Sequence, residues 1–553
     1  MYTLHHVLDL LFVSYLAALN AAYTLLLALG SGQVSDWVRR RPMRDFRGVS
    51  NSPLSLPVTI LVPAYNEAPI IVHSIRSLLA SRYRELQVMV VNDGSTDGTL
   101  AALTEAFGLV PVERVPRARL GSAAVRAIYA SSHDERLLVI DKDNGGKADA
   151  LNCGIRYAAY PLFCAIDSDT VLDPDALARL VWAFQAEPET VATGGIVRIF
   201  NGSRIAGGRI HQVRTPRSML VNIQIVEYLR AFLAGRAGWS RLNMLLIISG
   251  AFGLFRRDVV VEAGGYDTTT IGEDTELIVR LHRHCREQGR RYKITFVADP
   301  ICWTEAPADR ATLARQRDRW QRGLLETLWR HRSIIGRPRY GGVGLVGMPF
   351  FLVFEAVGPL VEVAGLLYTA VGLAAGWVAP AMAALILALA FTYGLVLSFG
   401  ALLIEGRAFA RYPDWRDLGR LMLAAIGENF GYRQWLAVIR AKAWWTVLRP
   451  SRGWGEMVRS GLGEPVATAL APSAPRAPSP LVAGDVAGPL LSVAAAEHVP
   501  AVRAPGPARP AGECAAASPS RARRSNSGAA PMLPMRTPAS APRVASPSSS
   551  APS

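Results

Sequence analysis

Apolar and polar positions follow different rhythms in successive stretches of the chain. Leu10 to Leu29 is almost uninterrupted by charge, and a run of about twenty apolar residues crosses a hydrocarbon core as a helix. The pattern predicts a transmembrane helix over about residues 7–30. From Pro57 to about Arg330, short β-rich runs alternate with helical periods, which predicts a mostly parallel α/β sheet. Its strands are placed at Val58 to Val62, Leu86 to Val91, Leu137 to Ile140 and Leu162 to Ile166. Helices are placed around Ile71, Ile75, Leu78 and Leu79, and over Lys147 to Tyr157. A second apolar block, Val343 to Ile404, is broken near Gly376 to Pro380 and predicts a helical hairpin of two spans. Between 417 and 448, Trp and basic residues interleave with an apolar face, as in a helix lying at headgroup level. A third C-terminal span, about Leu418 to Ile439, is the alternative, and Arg420, Glu428 and Arg433 count against it.

These rhythms divide the chain into an N-terminal membrane helix with a basic juxtamembrane segment (1–49), a soluble α/β domain (50–335), a second membrane region (336–450) and a tail (451–553). The tail is rich in Ala, Pro, Ser and Arg without a sustained apolar period, a composition expected to be disordered. Arg39, Arg40, Arg41, Arg44 and Arg47 follow the first apolar run and none precedes it. That order argues against a cleaved signal peptide and puts the α/β domain in the cytoplasm. A hairpin returns the chain to the same side, where Arg407, Arg411, Arg416 and Arg420 obey the same rule. Glu355, Pro359 and Glu362 are costly in lipid, so Gly344 to Pro359 is allowed to be partly interfacial.

Composition changes this picture little. The net charge of +16 is scattered, with no recognised binding module, so attraction to acidic lipid or a plainly solvated basic surface is expected and no nucleic-acid partner is. The five cysteines, Cys153, Cys164, Cys285, Cys302 and Cys514, show no C-x-x-C spacing, as for reduced structural thiols.

Open α/β sheets bind ligands at the carboxyl ends of their strands. Tyr65, Asn66, Asp93, Asp167 and Asp169 all stand there. Asp167-Ser168-Asp169 offers two carboxylates at i and i+2 after a buried strand. Such a pair suits Mg²⁺ or Mn²⁺, hard ions that keep open positions for substrate phosphates; a solvated turn closed by Asp173-Pro174 is the plain alternative. A dinucleotide-binding oxidoreductase would carry G-x-G-x-x-G after its first strand, where this chain has Pro63-Ala64-Tyr65-Asn66-Glu67. Lys147, after Gly145-Gly146, suits a diphosphate or is an exposed helix start. Glu273-Asp274 opens the amphipathic helix Leu277 to Cys285, as an acidic cap or as a general base. Gln316 to Trp320 is a basic-aromatic helix near the membrane or a clamp for phosphate and sugar.

The succession VPAYNE, VVNDGSTDGT, GGKADALN, DSD, SGAFGLFRR, GEDTEL and QRDRWQRG resembles the membrane-embedded family 2 glycosyltransferases with a GT-A fold. Cellulose, chitin, hyaluronan and poly-N-acetylglucosamine synthases belong to that group; the chain resembles the bacterial poly-N-acetylglucosamine synthase-like branch, and the motifs do not separate the branches by substrate. The resemblance covers about residues 55 to 450. It implies a Rossmann-like, mostly parallel cytoplasmic GT-A domain flanked by transmembrane helices. It implies that Ala64, Tyr65, Glu67 and Asp93 line a uridine pocket, with Asp93 reaching a uracil N–H unless an Asx turn to Ser95 claims it. Lys147 and Arg319 would hold the diphosphate, Asp167 the ribose and sugar side, and Asp169 the metal. Asp274, beside Glu273, would be the general base. Ser249, Gly250, Gln316 and Trp320 would shape the acceptor site. Gly272 stands where many relatives have Thr, which puts the local hydrogen bonding in question.

The expected activity is inverting, metal-dependent, processive transfer from a UDP-sugar to a β-linked glycan at the cytoplasmic face of the cell membrane. Transfer of a single sugar to a lipid acceptor is the alternative, and a silent sugar-nucleotide sensor or synthase scaffold is a more distant one. Three or four spans enclose a polar path poorly, so a homo-oligomer or small membrane partner is expected if the product is exported.

Overall fold

In a computed structural model the described residues are 2–206 and 209–447; the expected tail, 451–553, lies outside them. The sheet grows from the anticipated strands, several of them longer at the C-terminal end. They are Val58–Ala64 (β1), Leu86–Asp93 (β2), Leu109–Pro111 (β3), Val125–Ser131 (β4), Leu137–Lys142 (β5), Leu162–Ile166 (β6), Val171–Leu172 (β7) and Thr190–Ile199 (β8). Arg204–Ala206 (β9) and Arg209–Gln212 (β10) form a separate ribbon, and Phe252–Arg256 (β11) and Lys293–Thr304 (β12) complete the main sheet. Its order is β3-β4-β5-β2-β1-β6-β11-β8-β12-β7.

The block β5-β2-β1-β6 is parallel throughout, with antiparallel strands on both flanks. Ile60, Leu61, Val62, Val88, Met89, Val90, Val139 and Ile140 are buried, because a parallel sheet is covered by helices on both faces and its strands need apolar residues in continuous runs. Register then aligns the functional ends. Ala64 pairs with Asn92, Asp93 with Lys142, and Leu61 with Ala165, two residues before Asp167.

The first apolar helix, Tyr2–Arg40 (α1), is longer than the 7–30 expected from composition. Nothing between Leu29 and Arg40 interrupts it, and Pro42 follows its end. A side chain at Gly30 would meet the carbonyl oxygens of Leu233 and Ala234 at 2.5 and 2.8 Å, so α1 lies directly on the soluble domain. Lys147–Tyr157 (α2), Glu273–Glu287 (α3) and Arg310–Arg330 (α4) carry the candidate chemistry. Gly358–Ala374 (α5) and Pro380–Ala408 (α6) form the hairpin, and the stretch before α5, Val343–Ala356, meets it at a bend of 40°. Among the described residues, α1 and α6 are long and apolar enough to cross a membrane; a third crossing exists if the bent pair counts as one.

The continuous third span weighed for 418–439 is absent. Trp415–Gly427 (α7) and Arg433–Thr446 (α8) are separate helices, parted at Phe430 (φ −106°, ψ 93°) and Gly431 (φ 86°). Polar clamps fasten this region to the soluble domain. Arg198 at the end of β8 pairs with buried Glu405 of α6. Arg230 donates to Glu428 and to Ser398 at 2.5 Å each. Buried charges persist where each has such a partner.

Candidate active site

The loops after β1 and β2 are stitched to each other. Asn66, held at φ 55°, accepts from Thr96 N (2.8 Å), while its own N–H donates to Ser95 Oγ (3.0 Å). The Glu67 N–H donates to Thr99 Oγ1 at 2.9 Å. Ala64 is buried and Tyr65 is 50% exposed beside them.

Asp93 is held by partners within the chain. Its carboxylate is buried and accepts from the Gly145 and Gly146 N–H groups at 3.0 and 2.7 Å and from Lys142 Nζ. Lys142 is fully buried, and it also reaches Asp149 Oδ1 at 2.6 Å and the Asp143 carbonyl at 2.6 Å. A buried ammonium must be paired, and this one takes two carboxylates, orienting Asp93 toward the Gly145-Gly146 turn. Sequence reading missed Lys142 and Asp149; the available signal was a lysine two residues after the apolar run Leu137–Ile140.

The turn held by Asp93 delivers Lys147 as the first residue of α2. Lys147 Nζ lies 2.5 Å from Asp167 Oδ1 and 3.7 Å from Glu273 Oε1. Burial works against its charge, but the carboxylates of Asp167 and Glu273 outweigh that and hold its pKa above the ordinary lysine value. Burial pushes Glu273 up to about 7, with Lys147 opposing and Asp274 adding to the rise. Asp274 Oδ2 accepts from the Gly250 N–H at 3.1 Å, and Oδ1 from the Thr275 N–H at 2.7 Å. A Cβ at Gly250 would stand 3.1 Å from Lys147 Nζ and 3.4 Å from Asp274 Oδ2, so the small residue lets three elements converge.

Helix α4 is capped by Asp309, which accepts from Thr312 N at 2.8 Å. Gln316, Arg319 and Trp320 line the same space as Lys147, Asp167, Asp169, Ser249, Gly250 and Asp274. Trp320 is 44% exposed, and the guanidinium of Arg317 sits 4.5 Å from its ring centre while pairing with Glu227 at 2.7 Å. Gln316 Oε1 is buried without a hydrogen-bond donor. The cavity measures about 820 Å³ and continues between the apolar helices past Tyr15, Tyr23, Glu355, Glu362 and Arg440. Ala64, Tyr65, Glu67 and Asp93 are not among the residues lining it. Arg440 ties this upper part to α4, donating to Gln321 Oε1 at 2.8 Å and to Glu355 Oε2 at 3.1 Å.

Among the described residues no three His, Cys, Asp or Glu side chains gather as a cation cage. The donor set nevertheless fits Mg²⁺ or Mn²⁺, because such ions are held in nucleotide sites by one or two carboxylates with substrate phosphates and water. Asp167 and Asp169 both face the cavity.

The chain is similar to known proteins over much of its length. The family model described as glycosyl transferase family 2 matches residues 59–260, and that of glycosyl transferase family group 2 matches residues 162–397. Poly-β-1,6-N-acetyl-D-glucosamine synthase from Staphylococcus aureus is 29% identical over 274 residues, 49% of this chain and 56% of that protein. The synthase of the same name from Staphylococcus epidermidis is 29% identical over 273 residues, again 49% and 56%. The matched segment thus spans little more than half the length of these relatives. Among solved structures, a mannosyltransferase from Pyrobaculum calidifontis, in complex with GDP-mannose and Mn²⁺, is 18% identical, with 79% of this chain and 99% of that one covered and a TM-score of 0.43.

Proposed function

We propose that this chain, a member of glycosyl transferase family 2, is an inverting, processive synthase that transfers a sugar from a UDP-sugar to a β-linked glycan at the cytoplasmic face of a membrane. One observation carries the reading: Asp274, Lys147 and Asp167 share a single cavity with Gln316, Arg319 and Trp320.

In this reading Tyr65, Glu67 and Ala64 flank the uridine, and Asp93 acts behind them by fixing the turn that presents Lys147. Lys147 and Arg319 bind the diphosphate, with Arg319 able to form paired hydrogen bonds to its oxygens. Asp167 and Asp169 would hold Mg²⁺ or Mn²⁺, which when bound would offset charge on the departing diphosphate. Asp274 removes the proton of the acceptor hydroxyl. That oxygen then bonds to the anomeric carbon from the face opposite UDP, and the bonding pair of the broken C–O bond leaves on the UDP phosphate. The indole of Trp320 supports the acceptor ring, and Gln316, which lines the same cavity, contacts the acceptor. Glu273 tunes the site through Lys147.

The helices α1 and α6, with the bent pair before and including α5, are proposed as the membrane anchor, with the sheet on the cytoplasmic side. A homo-oligomer or small membrane partner belongs to the proposal, since hydroxyls of an exported glycan need polar walls that two or three crossings supply sparingly. A second reading, transfer of one sugar to a lipid acceptor, is favoured by the apolar side of the cavity, where Phe12, Leu16, Leu19 and Leu366 could border an acyl or prenyl chain. Membranes containing the protein, incubated with a panel of labelled UDP-sugars and Mg²⁺ or Mn²⁺, separate the two. Long polymer supports the first reading, one added residue per acceptor the second, and no incorporation from any UDP-sugar contradicts both.

A further inference from the structure

The active-site cavity occupies the carboxyl edge of the parallel strands. At the other edge the chain gathers arginines. Strand β11 runs antiparallel to β6, with Phe252 beside Ile166 and Arg256 beside Leu162. The chain therefore leaves β11 at Arg257 on the side of the sheet away from Asp167. Helix α2 spans the same distance, from Lys147 in the active-site cavity to Arg156 in its last turn. The loop between β3 and β4 closes over this end, where the Arg117 N–H donates to the Arg156 carbonyl at 2.7 Å.

Arg117, Arg119, Arg156 and Arg257 together line a cavity of about 920 Å³, and Asp258 is its one acidic lining residue. None of the four arginines forms an ion pair among the described residues. Arg156 donates to Ser122 Oγ at 3.1 Å, and Arg257 donates through Nε to the Ile155 carbonyl at 3.0 Å. The Nη2 of Arg257 is buried and has no acceptor. A buried guanidinium N–H left unmatched is costly, and four like charges around one hollow repel one another. Both costs disappear when an anion with several oxygens enters.

We propose that this hollow is a second binding site, for a soluble organic phosphate of nucleotide size, distinct from the site where the sugar donor binds. Its volume lies within the range of small-molecule pockets, and guanidinium groups are the side chains best matched to phosphate oxygens. Its place decides between a dissolved phosphate and a lipid headgroup. The apolar helices border the cavity at the carboxyl edge of the strands, whereas these arginines stand at the opposite edge, away from the proposed bilayer. Burial and then the charge of Arg117 depress the Arg257 pKa below the ordinary arginine value, in keeping with a site that lacks its counter-charge.

The test is calorimetric titration of ATP, used as the probe, into the full-length protein in detergent with UDP present in saturating excess to fill the donor site. The expected result is ATP binding that persists in UDP, is displaced by pyrophosphate and weakens with salt. Arg117→Ala/Arg119→Ala should weaken it by at least about 10-fold while sugar transfer measured without ATP stays unchanged. Both side chains are exposed, and this variant leaves the Arg257–Ile155 bond in place. Equal ATP affinity in wild type and variant, or complete displacement of ATP by UDP, would overturn the proposal. So would a variant that keeps ATP affinity but loses binding to phosphatidylglycerol vesicles, which would assign the arginines to lipid.

Discussion

Gly272 and Gly323 press backbone against backbone: a Cβ on Gly272 would stand 2.9 Å from Gly323 Cα, and one on Gly323 would stand 2.8 Å from Gly272 Cα. The contact joins the start of α3, which bears Glu273 and Asp274, to the middle of α4, which bears Gln316 and Trp320. It also answers the question raised by a glycine where relatives have threonine. The hydrogen bonds come from elsewhere: Thr270 Oγ1 donates to Glu326 Oε2 at 3.0 Å and the Ile271 N–H donates to the same oxygen at 3.0 Å. Gly272→Thr should therefore force the two helices apart, costing about 1–3 kcal/mol as overpacking and lowering transfer. Thermal unfolding in detergent and a transfer assay check both effects, and a Gly272→Thr protein with unchanged melting and turnover would speak against the contact.

Glu273 gives a pH signature. Its folded pKa lies above its ordinary 4.5, at about 7, because burial disfavours the carboxylate. The folded state thus prefers the proton. The contribution of this group to stability is fully present below about pH 4.5 and is lost as pH rises through about 7. Glu273→Gln removes the titration, so the melting temperature of wild type minus that of the variant should fall between pH 5 and 8. A difference that stays level across this window would contradict the assignment.

Lys142 is expected to be among the most sensitive buried positions. Lys142→Met leaves Asp93 and Asp149 without their shared cation, and breaking a buried pair from one side costs about 3–5 kcal/mol. Loss of folded protein on size exclusion, or a strongly lowered melting temperature, is the expected outcome. Wild-type melting in the single variant would show that the triad is not formed. Asp93→Asn, milder in shape, should weaken UDP binding through the displaced Gly145-Gly146 turn.

Gln316→Leu removes a polar side chain that lines the cavity while keeping volume. Acceptor KM should rise by about 10-fold, in line with one lost hydrogen bond to a hydroxyl, with donor KM unchanged. An equal rise in donor KM would place Gln316 at the nucleotide instead.

Much of this architecture was legible in the chain because it is local. The parallel strands announce themselves as apolar runs ending in polar triplets, so Asp167, Lys147 and Asp274 were placed at strand ends and helix starts without coordinates. What was hidden depends on distant partners. Lys142 looks like an ordinary strand end until Asp93 and Asp149 converge on it. Gly272 reads as a departure until Gly323, some fifty residues on, is laid against it. The meeting of Arg440 with Gln321 and Glu355 has no sequence period at all, since three separate helices supply it.

The central claim concerns Asp274, and the most direct measurement is sugar transfer by purified Asp274→Asn alongside UDP binding by the same preparation. Expected is transfer reduced to background with UDP affinity close to wild type, as for the loss of a general base from an intact donor site. Turnover near the wild-type rate in Asp274→Asn, with UDP bound normally, would contradict the assignment of the acceptor proton to this residue.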